Sequence, residues 1–320
     1  VAQAITLVEA GGSAAQRIMT GLYRHTGHAH VIGITGSPGT GKSTLVGAMA
    51  QCYRVRDVKV GIVAVDPTSP FSGGAILGDR IRMRDLAGDS GVFIRSMATR
   101  GNLGGLAAAT SDVVRVLDAA QYRVIIVETV GVGQAEVDVA RMAHTVVVVE
   151  SPGLGDDIQA LKAGLMEIAD IFVVNKNDLP GADALVSTLR SAIELASGQV
   201  KYAGHHQFEL SLRLSSPESG APGEIWQIPV KEATALYHEG IDELVEVVDA
   251  HGDYLHESGK WRRRERERIE TDLERLIKQI VVQRLRAKLP AGQWDELVEG
   301  VVNRKFDPQM VAEKLWDSVL

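Results

Sequence analysis

An α/β fold, with a mostly parallel central sheet flanked by helices, is predicted by three features of the sequence. Gly36-Ser37-Pro38-Gly39-Thr40-Gly41-Lys42-Ser43 fits the spacing G-x-x-x-x-G-K-[ST] and lies between an apolar run, Val31 to Ile34, and a segment of helical spacing, Leu45, Val46, Ala48 and Met49. Further near-continuous apolar runs follow along the chain, as parallel strands covered on both faces require. Segments of helical spacing separate them. Together these features define a P-loop nucleoside triphosphatase architecture, with helices added before and after the sheet.

In chain order, residues 2–9 and 13–27 carry helical spacing (Ile5 and Val8, then Ala15, Ile18, Met19 and Leu22), split by Gly11-Gly12 as a turn. They set the expected division: an N-terminal helical extension over 1–28, a P-loop domain over 29–256 and a C-terminal helical region over 257–320. Val60 to Asp66 reads as a buried parallel strand ending in an aspartate. Pro67 to Gly74 is too rich in chain breakers to be anything but loop, a candidate switch beside the phosphates. Val92 to Ser96 reads as a short strand, followed by a helix over 103–121. Val124 to Gly131 is a buried strand that delivers Glu128 at its carboxyl end, and Val146–Val149 and Ile171–Val174 add central strands. A helix over 182–197, a polar connection over 198–224 and a last strand, Trp226–Val230, complete the sheet. From residue 255 onward the chain reads as a long amphipathic helix. Lys260 to Arg268 is densely charged in both signs, and Ile269, Leu273, Leu276, Ile277 and Ile280 keep helical spacing. Helical pieces over 292–303 and 307–320 close the chain.

Composition narrows the class. With 45% hydrophobic, 23% charged and 5% aromatic residues over 320 positions, the chain is an ordinary globular α/β protein large enough to build its own core. A net charge of −7 opposes nucleic acid as a partner, because phosphate backbones call for a concentrated basic face. The balanced charges of Lys260–Arg268 read as a solvated helix face for the same reason. Cys52 is the single cysteine, which excludes an intramolecular disulfide framework and a cysteine-rich metal site, and it is expected to pack as a small apolar residue. No apolar run approaches the roughly 18 residues of a membrane span and no signal peptide is visible, so a cytoplasmic protein without a membrane partner is expected. His205-His206, without a third ligand, reads as solvated loop.

The Gly36–Ser43 loop predicts its ligand. Glycines let backbone N–H groups turn onto polyphosphate oxygens, Lys42 neutralises the β and γ phosphates, Ser43 supplies an oxygen to Mg²⁺, and the helix N-terminus adds its dipole. Ligands of open parallel sheets gather at the carboxyl ends of strands, which places Asp66 and Glu128 beside Mg²⁺ and the γ-phosphate. Asn175-Lys176-Asn177-Asp178, an N-K-x-D spacing after a buried strand, selects the base. The Asp178 carboxylate accepts two hydrogen bonds from guanine N1–H and the exocyclic amine, a pair adenine does not present, while the Lys176 stem lies over the base plane. Thr234-Ala235 stands where a backbone contact to guanine is expected. The predicted ligands are therefore GTP or GDP with Mg²⁺.

Glu128-Thr129-Val130-Gly131 stands where most small GTPases carry Asp-x-x-Gly, and the strand before it is joined through helical segments, which favours a parallel arrangement over a hairpin. These features resemble the SIMIBI class of nucleotide-driven dimers, although the lysine of its MinD-like ATPases would fall at Ser37 and is absent. Within that class the chain resembles the MeaB/ArgK family, GTPases that escort adenosylcobalamin-dependent methylmalonyl-CoA mutase. The resemblance rests on Gly36 to Thr44, Val65 to Pro70, Gly73 to Met83, Glu128 to Gln134 and Asn175 to Asp178. It implies that Gly36 to Thr44 hold phosphate, that Lys42 and Ser43 meet phosphate and Mg²⁺, and that Asp66, Asp79 and Glu128 are the acidic residues of the Mg²⁺ and switch regions. It further implies that Gly155 to Lys162 relay nucleotide state to a cobalamin-dependent acyl-CoA mutase, and that the C-terminal helices form the dimerisation arm of a homodimer.

The expected chemistry is attack of water on the γ-phosphate, with Lys42 and Mg²⁺ stabilising charge. Asp66 is expected to position the water, Glu128 to act on Mg²⁺ through a coordinated water, and Asp79 to serve either role. Arg80, Arg82, Arg95 and Arg100 are candidate charge-stabilising fingers, each also read as a surface or ion-pair residue, and Gln134 lies beyond the position from which switch glutamines orient water. Slow intrinsic hydrolysis accelerated by a partner is expected. Two rival functions share the nucleotide domain. A nickel-inserting GTPase of hydrogenase or urease maturation would carry Cys/His metal clusters, and an ArgK-type kinase is opposed by the guanine-reading Asn175–Asp178.

Overall fold

A computed structural model of the chain describes residues 1–66, 86, 88–98, 103–129, 139–153, 165–199, 225–290 and 292–317. Its strands are β1 (His30–Thr35), β2 (Val60–Asp66), β3 (Val92–Ala98), β4 (Val124–Thr129), β5 (Thr145–Glu150), β6 (Ile171–Asn175) and β7 (Val230–Ala233). They form one sheet in the order β3-β2-β4-β1-β5-β6-β7, and every neighbouring pair is parallel. Strands β2, β3 and β4 lie on one side of β1 and β5 to β7 on the other. The chain thus reverses direction across β1, which opens a crevice at the carboxyl edge beside that strand.

The apolar runs are continuous because both faces of the sheet are covered. Alternate side chains of β1 sort to opposite sides: Ile32 and Ile34 join Leu45, Met49 and Tyr53 of the helix Lys42–Val55, with Leu244 and Val248 of the helix Ile241–Glu257. Val31 turns the other way, to Val113 and Leu117 of the helix Leu103–Ala119. Ile5 and Val8 of the first helix, Ala2–Ala10, close this second cluster, so the N-terminal helices pack as part of the sheet's cover. A third cluster lies under Leu185 and Leu189 of the helix Ala182–Gln199. At about 25 cal/mol per Å² of apolar surface, burial on this scale is the main favourable term in the fold.

Several elements differ from the sequence expectations. The last strand begins at Val230, where Trp226–Val230 was expected. Pro229 has no N–H to add to a ladder, and Trp226 is used elsewhere: its backbone N–H donates to Tyr254 Oη (3.2 Å) and its indole to the Asp170 carbonyl (2.9 Å). The helix Ile241–Glu257, which the sequence left unassigned, buries Ile241, Leu244, Val245, Val248 and Leu255 on one stripe. The long charged helix is a separate element, Lys260–Lys288. Between the two, Gly259 takes a positive φ of 72°, a conformation a helix does not contain. The N-terminal helices are Ala2–Ala10 and Gly12–Leu22, the latter giving way to a 3₁₀ turn at Tyr23–His25. Cys52 is half-buried, and its thiol donates to Asp242 Oδ1 at 2.9 Å; burial and that contact push the thiol up to about 11.

Two compact units divide the chain, Val1–Arg262 and Arg263–Leu320. In the second, Arg263 to Lys288 continue the charged helix, followed by helices Gln293–Val302 and Pro308–Asp317. Ion pairs at helical spacing run along the charged helix, among them Arg263–Glu267 (3.1 Å) and Arg266–Glu270 (2.8 Å), while Arg286 lies 4.2 Å over the Trp294 ring. Among the described residues, no helix is long and apolar enough to cross a membrane.

Candidate functional site

The turn leaving β1 requires glycine. Gly36 has φ of 130°, and a Cβ there would stand 2.0 Å from the Val149 carbonyl oxygen of β5. Gly41 has φ of 87° and caps the helix Lys42–Val55, and a Cβ there would meet the Asn175 amide nitrogen at 2.6 Å. Backbone passing this close to its neighbours leaves no room for a side chain at either end of the Gly36–Gly41 turn. Inside the turn, the Lys42 ammonium donates to the Gly36 carbonyl (2.7 Å) and the Ser37 carbonyl (2.8 Å). Phosphate oxygens entering the loop would compete with those carbonyls for the same charge.

Beside this loop stands an oxygen pair. Ser43, on the first turn of the helix, donates its hydroxyl to Glu128 Oε1 at 2.6 Å, and both residues are buried. Glu128 is held there by register, paired with Ile34 of β1 on one side and Ala64 of β2 on the other. One residue on, the Thr129 hydroxyl donates to Thr35 Oγ1 (3.2 Å), tying the end of β4 to the end of β1 just before the loop begins. A cleft of about 430 Å³ opens over Lys42, Ser43, Glu128 and Thr129, with Ala64 and Val65 of β2 at its side. Hydroxyl and carboxylate oxygens are hard donors suited to Mg²⁺, so the pair fits that ion. Asp66 ends β2 at the same edge, in register with Ala98. Asp79 lies outside the described residues, as do Arg80, Arg82, Arg100, Gln134, the loop from Pro67, residues 155–162 and His205-His206. Arg95 is described, and its Nε donates to Glu9 Oε1 (2.9 Å) of the first helix, an ion pair away from the phosphate loop.

A second cleft of about 240 Å³ adjoins the first and shares Gly41, Thr44 and Lys176 with it. Asn175, Lys176, Asp178, Thr234 and Ala235, which the sequence assigns to the base, all line this space. Asp178 is exposed at its rim, where a carboxylate is open to an incoming ring edge. Lys176 has positive φ (59°) and donates to the Gly39 carbonyl at 2.8 Å, so its stem spans from the strand end to the phosphate loop. Asn175 has a role its motif did not reveal. Buried to 2% exposure, its amide donates to the Thr40 carbonyl (2.8 Å) and its oxygen accepts from the Ala235 N–H (3.1 Å). One side chain therefore fixes the phosphate loop and the base-side turn to the same strand. The Thr35–Thr129 contact and the apolar residues Leu179 and Leu236 in the second cleft also went unread in the sequence. Single hydroxyl or leucine positions carry no spacing signal.

Residues 1–290 match a family described as methylmalonyl Co-A mutase-associated GTPase MeaB. A Pyrococcus abyssi protein named as a GTPase is 44% identical over 319 residues, covering 100% of this chain and 92% of that protein. The GTPase ArgK of Escherichia coli is 38% identical over 248 residues, covering 76% of this chain and 69% of the other. Among solved structures, a LAO/AO transport system kinase aligns with a TM-score of 0.65 at 26% identity, covering 99% of this chain and 92% of that one.

Proposed function

As the chain belongs to the MeaB family of methylmalonyl Co-A mutase-associated GTPases, we propose that it turns over GTP to escort a cobalamin-dependent acyl-CoA mutase, gating adenosylcobalamin loading and protecting or reactivating the enzyme. The observation that carries the nucleotide part is the joining of two clefts, one over Lys42 and Ser43 and one over Asp178, with Asn175 bonded to a wall of each. A phosphate chain in the first and a guanine ring in the second make one continuous ligand. Methylmalonyl-CoA mutase is the partner indicated by the family's description.

In this reading Lys42 neutralises the β and γ phosphates, and the loop N–H groups bind their oxygens. Ser43 and Glu128 would hold Mg²⁺, with Asp66 and Asp79 as the remaining acidic candidates. When bound, the ion supplies charge neutralisation to the phosphates. Asp66 positions the attacking water. A nickel-insertion role has little to support it: Cys52 is the only cysteine of the sequence, and among the described residues no group of three His, Cys, Asp or Glu side chains is placed to hold a metal.

Self-association is part of the same proposal. Ile269, Leu273, Leu276 and Ile280 are exposed on the charged helix at alternating spacings of four and three, the a/d pattern that a second helix covers.

The deciding experiment is co-purification with candidate cobalamin mutases in GDP and in a non-hydrolysable GTP analogue. Capture that depends on which nucleotide is present supports the escort role. Equal competition by ATP and GTP for the site would revive a kinase, and turnover that no mutase alters would count against the escort.

A further inference from the structure

At the amino edge of the sheet, away from both clefts, side chains from four separate places in the chain meet in one row. Thr145, the first residue of β5, stands between two imidazoles. Its Oγ1 is 2.7 Å from Nε2 of His30, the first residue of β1, and 2.8 Å from Nδ1 of His251 on the helix Ile241–Glu257. The other ring nitrogen of His251 lies 3.4 Å from Oδ1 of Asp170, just ahead of β6, and Asp170 Oδ2 accepts from the Val146 N–H at 2.8 Å. Thr145, His251 and Asp170 are all buried.

The row has two ways of placing its protons. A hydroxyl has one proton to give, so Thr145 donates to one imidazole and accepts from the other. With His251 neutral, the Asp170 carboxylate keeps that ring's proton on Nε2; Nδ1 then accepts from Thr145, and His30 donates to Thr145 from its own Nε2. With His251 doubly protonated, both of its nitrogens donate, the Thr145 hydroxyl turns to donate to His30 Nε2, and His30 carries its proton on Nδ1. The two arrangements differ by one proton. His30 is neutral in both, since burial first, then His144, His251 and His256, hold it down to about 3 against the pull of Asp170.

We infer that this row is a one-proton switch through which β1, β5 and the helix Ile241–Glu257 sense pH together. A proton arriving at His30 Nδ1 releases the Nε2 proton to Thr145 Oγ1, and the Thr145 hydroxyl proton passes to His251 Nδ1. Among the groups that face His251, Asp170 favours the charged state. His30, His144 and His256 oppose it when they are charged, and the His144 Nδ1 is already committed to the Val31 N–H (3.0 Å). Tyr254, with its ring 6.0 Å from that of His251, carries the Lys260 ammonium 4.8 Å over its face, a further charge opposing protonation, and the Trp226 ring at 4.7 Å is neutral.

The full chain labelled with ¹⁵N at histidine reports the state of each ring nitrogen by long-range ¹H–¹⁵N NMR, with His30→Gln and His251→Gln supplying the assignments. Between about pH 8 and pH 5, His251 is expected to take up a proton while the His30 proton moves from Nε2 to Nδ1 at the same midpoint. Thr145→Ser keeps the hydroxyl and is expected to keep the two events coupled. In Thr145→Val, His251 is expected to titrate with the His30 tautomer unchanged. In Asp170→Asn both events are expected together, at a pH lower by about 1–3. A His30 that keeps its Nε2 proton while His251 charges overturns the switch, and so does a His251 that stays neutral until the chain unfolds. The wild-type titration alone decides this, should any variant not fold.

Discussion

Ser43 and Glu128 are 85 residues apart in sequence and 2.6 Å apart in the structure, the serine hydroxyl donating to the carboxylate at the foot of the phosphate cleft. One comes from the helix after the phosphate loop, the other from the end of β4, and the pair exists only because β4 lies beside β1, the strand that leads into that loop. Replacing Glu128 by glutamine keeps the volume and an acceptor for Ser43 but removes the charge. GTP turnover is expected to fall roughly 10- to 100-fold, with a higher Mg²⁺ concentration needed for half-maximal rate; steady-state assays across a Mg²⁺ titration check it.

Asn175 supports two walls of the site, so its loss is felt in both. Asn175→Ala strands the Thr40 carbonyl and the Ala235 N–H, a penalty of about 1–3 kcal/mol for each buried group left unpaired. A lower Tm and GDP binding weaker by at least about tenfold are expected. Unchanged binding would mean the two loops hold their places unaided.

Asp66 tests the chemistry separately from the fold. If it positions water, Asp66→Ala loses most of its GTP turnover and still binds GDP. Turnover near wild type in single-turnover assays removes Asp66 from the reaction.

The exposed stripe of the charged helix makes a prediction about assembly. Leu273 is 55% exposed at a position of the a/d pattern. If the chain self-associates through this stripe, as proposed, Leu273→Asp is expected to shift it toward monomer in sedimentation equilibrium without altering the secondary structure, since among the described residues Leu273 stays more than half exposed.

Acid stability should report on the opposite edge of the sheet. His30 is held down to about 3, first by burial, then by its neighbours His144, His251 and His256, with Asp170 acting in the other direction. Its Nε2 lies 2.7 Å from Thr145 Oγ1, which in turn is 2.8 Å from His251 Nδ1. Because the unfolded chain binds a proton at the ordinary value near 6.5 and the folded one does not, the unfolded state gains as pH falls. Stability from this group is complete above about 6.5 and is lost progressively toward about 3. Urea midpoints measured from pH 7 to pH 4 are expected to drop, and His30→Gln to flatten that slope.

The legible parts of the fold were those with dense local signals. Continuous apolar runs gave β1, β2, β4, β5 and β6, because strands covered on both faces have no polar positions to interrupt them. β7 starts at Val230, later than the apolar Trp226–Val230 run suggests, since Trp226 is engaged by Tyr254 and Asp170 and Pro229 has no N–H for a ladder. Arg95, a candidate finger by its place in the chain, is engaged by Glu9, whose proximity arises only from packing of the first helix against the sheet.

The sequence by itself determined the class, a P-loop GTPase, through a phosphate loop whose glycines, lysine and serine lie close together and an N-K-x-D tetrad downstream. Such motifs are local, and their chemistry follows from spacing along one piece of backbone. Only the tertiary structure decided that the two motifs share a brace in Asn175, that Ser43 meets Glu128, and that Leu236 lines a cleft with Asp178. Those relationships depend on strand order and register, which bring together residues whose distance along the chain carries no information about their distance in space.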